Sequence, residues 1–308
     1  MTGWTLSEVP DLTGRRALVT GVTSGLGEVT ARELARAGAE VLLAARSPEK
    51  LDITLHTLRT ELPDARLVPV RLDLADLASV RAAAARVVEL GSLDILVNNA
   101  GVMATPEGRT QDGFELQLGT NHLGHFALTG LLLDALVASG GARVVTVSSL
   151  MAQSVRSVGL QDPRTRAGRY RKWNAYGQSK LANLLFTFEL DRRARAAGLP
   201  VTAVAAHPGY THTNLVNSGM NMGRRRLDGA IGLAVTSLVG QSAASGALPQ
   251  IRAAVEPGLV GGTYFGPTGP FEMNGSAGVV RPPKAATAPE MAAGLWDMSE
   301  QATGVSFP

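Results

Sequence analysis

Short apolar, β-branched runs alternate with longer stretches of helical periodicity from the start of the chain. The runs fall at residues 16–20, 40–45, 66–70, 93–98, 143–148 and 200–206. They are continuously apolar rather than alternating, as expected of strands covered on both faces in a parallel sheet. Apolar positions at helical spacing fill 25–37, 48–61, 77–90, 113–138 and 175–197. Strand and helix in alternation predict right-handed βαβ units. No composition break, linker or internal repeat marks a second domain. The expected architecture is one α/β domain over residues 1–308. It is a doubly wound parallel sheet of about seven strands with helices on both faces.

Beyond His207 the rhythm loosens. Residues 214–255 are rich in Gly, Ala, Ser and Met, with helical spacing around Ile231, Val235, Leu238 and Val239. The segment reads either as a C-terminal substrate lid or as an ordinary pair of surface helices. A last strand is expected at 262–265, then a Gly/Pro-rich tail and a short helix at 289–301.

Composition removes several function classes. Hydrophobic residues make up 45% and charged residues 18%, enough apolar content to bury a sizeable core. Net charge is +3, and basic residues cluster at 164–172 and 224–226. With aromatics at only 5%, these clusters lack the interleaved rings of a nucleic-acid surface and read as solvated loops. The absence of cysteine excludes disulfides, thiolate metal sites and a thiol nucleophile. No basic stretch followed by an apolar core opens the chain, and no run approaches the roughly 18 apolar residues of a bilayer span. A cytoplasmic protein without a membrane span is expected.

A glycine turn follows the first predicted strand and opens the first predicted helix, with Gly21, Gly25 and Gly27 in Gly-x-x-x-Gly-x-Gly spacing. Glycines there let backbone N–H groups approach a pyrophosphate at a helix N-terminus. Gly21, Thr23, Ser24, Gly25, Leu26 and Gly27 are the expected cradle. An NAD site places an acid about 20 residues further on, for the ribose hydroxyls. Here the second strand ends in Arg46, with no acid before Glu49 and with Lys50 one turn on. A guanidinium suits a 2′-phosphate, so NADP(H) is the expected cofactor; a solvated strand-end arginine is the bland alternative.

Tyr176 and Lys180 lie four residues apart, on one face of a predicted helix. Together with Asn98-Asn99-Ala100-Gly101, Asn121-His122-Leu123-Gly124-His125-Phe126, Ser148-Ser149 and His207-Pro208-Gly209 they occur in a fixed order. In that order these motifs resemble the short-chain dehydrogenase/reductase superfamily and its retinol-dehydrogenase-like branch. Gln241-Ser242, Gly261 to Gly266 and Glu272-Met273 extend the likeness over nearly the whole chain.

The resemblance implies a Rossmann-type fold and a catalytic tetrad of Asn121, Ser149, Tyr176 and Lys180. It implies that Asp73 and Leu74 contact the adenine, and that Asn99, Ala100 and Gly101 line its ribose. Pro208, Gly209, Thr211 and Thr213 would hold the nicotinamide, and Tyr176 and Lys180 would reach its ribose. The implied reaction interconverts a ketone or aldehyde with an alcohol. Ser149 and Tyr176 would donate to the substrate oxygen, Lys180 would lower the Tyr176 pKa, and Asn121 would order a water for proton return. Family members often pair as dimers or tetramers, here through 113–138 and 175–197.

His122, His125 and His207 have no carboxylate or cysteine at ligand spacing, so they read as structural and no metal is expected. Met103, Met151, Leu215, Met220 and Met222, with parts of 227–240, are the expected apolar pocket wall. The stretch between Ser149 and Tyr176 is longer than in the commonest members of the family. Residues 156–170 should therefore wall the substrate entrance. Two other readings stand further off. A sugar-nucleotide epimerase or dehydratase is disfavoured by the glycine spacing, and a non-catalytic NADP(H) sensor by the intact tetrad.

Overall fold

In the computed structural model the described residues are 3–165, 168–211 and 241–308. They form one eight-stranded sheet. In chain order its strands are β1 (Arg16–Thr20), β2 (Glu40–Ala45), β3 (Leu67–Arg71), β4 (Ile95–Asn98), β5 (Ala142–Val147), β6 (Val201–Ala206), β7 (Tyr264–Pro267) and β8 (Ala277–Val279). The order across the sheet is β3-β2-β1-β4-β5-β6-β7-β8. Every neighbouring pair is parallel except β7 with β8, which is antiparallel. The strand order reverses between β1 and β4, which opens a crevice at their carboxyl ends.

Helices cover both faces: α1 (Gly25–Arg36), α2 (Pro48–Glu61), α3 (Leu77–Glu89), α4 (Leu116–Leu118), α5 (Gly124–Leu131), α6 (Leu133–Val137), α7 (Lys172–Ala196), α8 (Ala243–Val255) and α9 (Pro289–Thr303). Alternate strand residues supply the two cores. Ala17, Val19, Val41 and Leu43 pack with Leu34 of α1, Leu51 of α2 and Ala253 of α8. Leu18 and Leu42 pack on the other face with Val80 of α3, Phe126 of α5, Phe186 of α7 and Trp296 of α9. Phe126, Phe186, Trp296 and Phe307 form an aromatic knot, with Phe126 and Trp296 edge-on at 5.1 Å. Among the described residues no helix is long and apolar enough to cross a membrane.

Three expectations are corrected. The seven-strand sheet has an eighth strand, β8, hidden in the Gly/Pro-rich tail. A side chain on its Gly278 would collide with Thr268, so this edge needs residues that do not read as a strand. The single helix over 113–138 is four pieces. Glu115 caps α4 by accepting from the N–H groups of Gln117 and Leu118, so the helix starts late. A five-residue π-helical turn, Gly119–Leu123, follows, with the Gly124 N–H bonded five residues back to Gly119. Another break at Leu132 separates α5 from α6. Close packing of Gly119 against Phe114, and of Gly124 against the Leu74 backbone, holds this shape.

Of the 214–255 segment, the described part, α8, is a fixed layer of the fold rather than a cover. It packs on α1, Gly246 meets Thr211 and Leu26, and Gln250 donates 2.6 Å to Thr30 Oγ1. The lid expectation for 214–240 lies outside the described residues, as do Thr213, Leu215, Met220 and Met222.

Candidate active site

β1 ends on buried Thr20, whose hydroxyl oxygen accepts from the backbone N–H of Asn99 at 3.0 Å and of Ala100 at 2.9 Å. Asn99 Nδ2 donates back to Thr20 O at 2.7 Å. The glycine turn and the 98–101 loop are thus locked together. Gly21 has φ +75°, and a Cβ there would lie 2.9 Å from Ala100. A Cβ on Gly27 would strike Gly21 O and sit 2.5 Å from Asn99 Nδ2. Ser24 caps α1 without a side-chain bond, so the first-turn N–H groups are free to take an anion. Thr23 and Ser24 lead into α1 and Gly25 and Leu26 begin it, all four half-buried. A backbone cradle that side chains would fill, at a positive helix end, fits the pyrophosphate of a dinucleotide.

A second opening lies at the tips of β2 and β3. A cleft of about 520 Å³ is lined by Arg46, Arg71, Asp73 and Asp76, with Ser79 and Arg86 of α3. Asp73 Oδ1 accepts from Ala75 N–H at 3.0 Å. Leu74 is buried beneath Gly124. Lys50 sits on the first turn of α2 and is not among the residues lining the cleft. Arg71 also lines the cleft, a residue that sequence reasoning passed over. The signal was in the register: Arg71 pairs with Ala45, the residue before Arg46.

Ser149, Tyr176, Lys180 and Asn121 converge where β4 and β5 end against α7. Ser148 is turned into α7 and donates to Lys180 O at 2.8 Å. Ser149 instead caps a short 3₁₀ turn, Leu150–Ser154, accepting from Met151 N–H, and hydrogen-bonds the Tyr176 hydroxyl. Tyr176 is buried, and burial pushes its phenol up to about 12 against the opposing pull of the Ser149 bond. Lys180 is 3% exposed and donates from Nζ to Val147 O at 3.0 Å. Burial lowers it to about 8. Its Nζ stands 5.9 Å from the Tyr176 ring centre. In the protein without its dinucleotide, burial sets the direction of the Tyr176 shift; the expected lowering by Lys180 together with an oxidised nicotinamide concerns the loaded site.

Asn121 is committed to the backbone. Its Oδ1 accepts from Val102 N–H at 2.7 Å, and its Nδ2 donates to Val102 O and Ser179 Oγ, each at 2.9 Å. One helical turn earlier, Gln117 grips the same loop. Its Oε1 accepts from Ala104 N–H at 2.8 Å, and its Nε2 donates to Tyr170 Oη and Lys172 O. Gln117 carried no motif and was missed; a fully buried amide on the loop's facing helix is visible only in three dimensions. His125 completes the frame. Asn121 O can only accept, so His125 Nδ1 carries the proton and Nε2 accepts from the Thr20 hydroxyl, both at 3.0 Å. His122 Nε2 lies 2.8 Å from Ser299 Oγ, and burial lowers His122 to about 3 and His125 to about 4, so both stay neutral.

The 208–211 loop closes the site. Gly209 has φ +67°, and a Cβ on it would lie 2.5 Å from Met273 O. Pro208 O accepts from Thr211 Oγ1 at 2.8 Å and Gln241 Nε2 at 3.2 Å. The 156–170 insertion is fastened to the opposite side. Arg164 lies 4.5 Å over the Phe114 ring and donates to Asp112 O and Ala302 O. Glu115 N–H donates to Pro163 O, and Arg109 donates to Arg164 O. Met103 and Met151 are half-buried near the ends of β4 and β5.

Comparison with known proteins follows the same lines. The short chain dehydrogenase family profile matches residues 15–162. Human retinol dehydrogenase 13 is 43% identical over 216 residues, 70% of this chain and 64% of that protein. The match thus spans less than two-thirds of that relative's length. Retinol dehydrogenase 14 of Mus musculus is 38% identical over 305 residues, 95% of this chain and 86% of that protein. A crystal structure of a Mycobacterium paratuberculosis protein superposes with a TM-score of 0.82 at 44% identity, covering all of both chains.

The crowding at Gly27 gives a direct test. Gly27→Ala forces a methyl group against Gly21 O and Asn99, and should weaken dinucleotide binding at least about tenfold. Fluorescence titration of the purified variant, with its circular dichroism spectrum unchanged, reads this out.

Proposed function

The chain belongs to the short-chain dehydrogenase family, and from that premise we propose that it interconverts a carbonyl and an alcohol with NADP(H). The observation that carries this reading is the Tyr176 hydroxyl, hydrogen-bonded to Ser149, one turn from a buried Lys180, at the strand ends that face the glycine turn. The nicotinamide, when bound, supplies or accepts the hydride. The residues of this chain supply position and the proton.

Ser149 and Tyr176 direct two donors at one point, where the substrate oxygen gains charge as the carbonyl is reduced. A phenol pushed up to about 12 is fully protonated at neutral pH and so is loaded as the acid. As it gives up its proton, the phenolate forms beside Lys180. An opposite charge at close range in a dry site favours that ion, so the ammonium aids the step without lowering the resting phenol. Asn121 acts by holding Val102 and Ser179, since its amide atoms are committed to them.

Arg46 and Arg71, lining the same cleft with no acid at the end of β2, support a 2′-phosphate and hence NADP(H) over NAD(H). Met103 and Met151 support an apolar or aromatic substrate, as do the relatives named for retinol.

Tyr176→Phe keeps the ring and removes the proton. Turnover of a carbonyl panel should fall by about 10²–10⁴-fold with NADPH affinity retained, and a loss below about tenfold would sink the mechanism. Arg46→Ala removes a charge-assisted contact, so the KM for NADPH should rise by about 10–100-fold while that for NADH barely changes. Equal rates of the wild type with NADH and NADPH would overturn the cofactor assignment.

A further inference from the structure

Phe271 and Glu272 are adjacent non-glycine residues with φ of 54° and 56°. Such backbone is disfavoured for side-chain-bearing residues and persists where surrounding structure imposes it. Here the frame is a tight loop. Glu272 N–H donates to Gly269 O at 3.0 Å, Met273 N–H to Pro270 O at 3.2 Å and Gly269 N–H to Asn274 O at 2.9 Å. Phe271 gains no packing from it, being 88% exposed. Glu272 turns its carboxylate inward, placing Oε2 3.2 Å from Nε2 of His207, close but outside hydrogen-bond geometry, and neither of these buried atoms has another hydrogen-bond partner among the described residues.

His207 is fully buried. Its Nδ1 accepts from Gly209 N–H at 3.2 Å, so the ring proton of the neutral imidazole lies on Nε2, facing Glu272. Gly266 makes the space, because a Cβ on it would overlap the His207 ring. Tyr264 packs 5.1 Å from the same ring and hydrogen-bonds Ser148, which in turn holds Lys180 O. On the far side of Glu272, Met273 O accepts from Tyr210 N–H at 2.8 Å and Gln241 Nε2 at 3.0 Å. One short loop therefore grips residues 207–210 from two directions.

We propose that Glu272, acting through His207, is a positioning residue that holds the Pro208–Gly209 turn in place for the nicotinamide half of the dinucleotide. The proposal rests on the NADP(H) reading above. The carboxylate lies against the Nε2–H edge and favours the tautomer that presents Nδ1 to Gly209 N–H, and that bond sets the turn. The left-handed backbone at Phe271 and Glu272 is what aims the carboxylate.

Two probes separate this role from general support of the fold. NADPH contains the nicotinamide half; 2′,5′-ADP carries only the phosphorylated adenosine end. Fluorescence titration of both is run on the wild type, Glu272→Leu, Glu272→Gln and Gly266→Ala. Glu272→Leu should weaken NADPH about tenfold and leave 2′,5′-ADP within about twofold. Glu272→Gln keeps an acceptor for the Nε2 proton and should recover most of the affinity. Gly266→Ala displaces His207 from the other side and should reproduce the selective loss, so the test survives if one variant folds poorly. Unchanged NADPH affinity in Glu272→Leu, or parallel weakening of both probes, overturns the proposal. Wild-type protein that binds neither NADPH nor NADH overturns the dinucleotide reading itself, and this inference with it.

Discussion

A single buried ammonium sets the conditions for the rest of the site. Taking a lysine out of water is unfavourable unless polar groups replace the lost hydration. Lys180 has Val147 O at 3.0 Å, the last carbonyl of a central strand. Around that contact the neighbours have little freedom. Ser148 ties down Lys180 O, Asn183 shares Val147 O, and a Cβ on Gly101 would crowd Asn121 Oδ1 at 3.0 Å. The same burial that lowers Lys180 raises Tyr176, so the pair rests as a loaded acid beside a cation that is readily neutralised. Proton transfer then costs less than either group's isolated chemistry suggests, because the product phenolate and the ammonium stabilise one another.

A second theme is the number of buried side chains spent on holding backbone. Thr20, Asn99, Gln117 and Asn121 bond to main-chain groups at the ends of β1 and β4, and His125 bonds to Asn121 O in the π-helical turn. Through Thr20 and His125 the glycine turn is connected to the π-helical turn that carries Asn121. These loops lie where the strand order reverses, and no regular ladder satisfies their N–H and C=O groups. The amides and the imidazole supply the missing partners, which is why polar residues are concentrated there in an otherwise apolar interior.

Much of this was legible in the sequence, and what was missed has physical causes. The six apolar runs and the helices between them are local features, and α2 has the predicted bounds of 48–61. The cradle glycines were legible because their conformational freedom is encoded in the residue itself. The break in 113–138 was not, since its apolar spacing is helical throughout and the π turn answers to packing around Gly119 and Gly124. β8 is three residues of Ala, Gly and Val whose pairing is set by β7. Gln117 and Glu272 act on residues 13 and 65 positions away, respectively, and no spacing rule joins them. The closeness of Tyr176 and Lys180 can be read from an i, i+4 pair, whereas the depth of burial that raises the phenol in the unliganded protein cannot.

The buried ammonium can be observed directly. With lysines labelled at Cε, an NMR titration of the wild type compared with Lys180→Met assigns the Lys180 resonance. The account predicts one lysine signal that titrates near pH 8 and is absent from the variant. A Lys180 signal that titrates at the ordinary lysine value of 10.5 would contradict it, because the side chain would then be hydrated and the site could not be arranged as described.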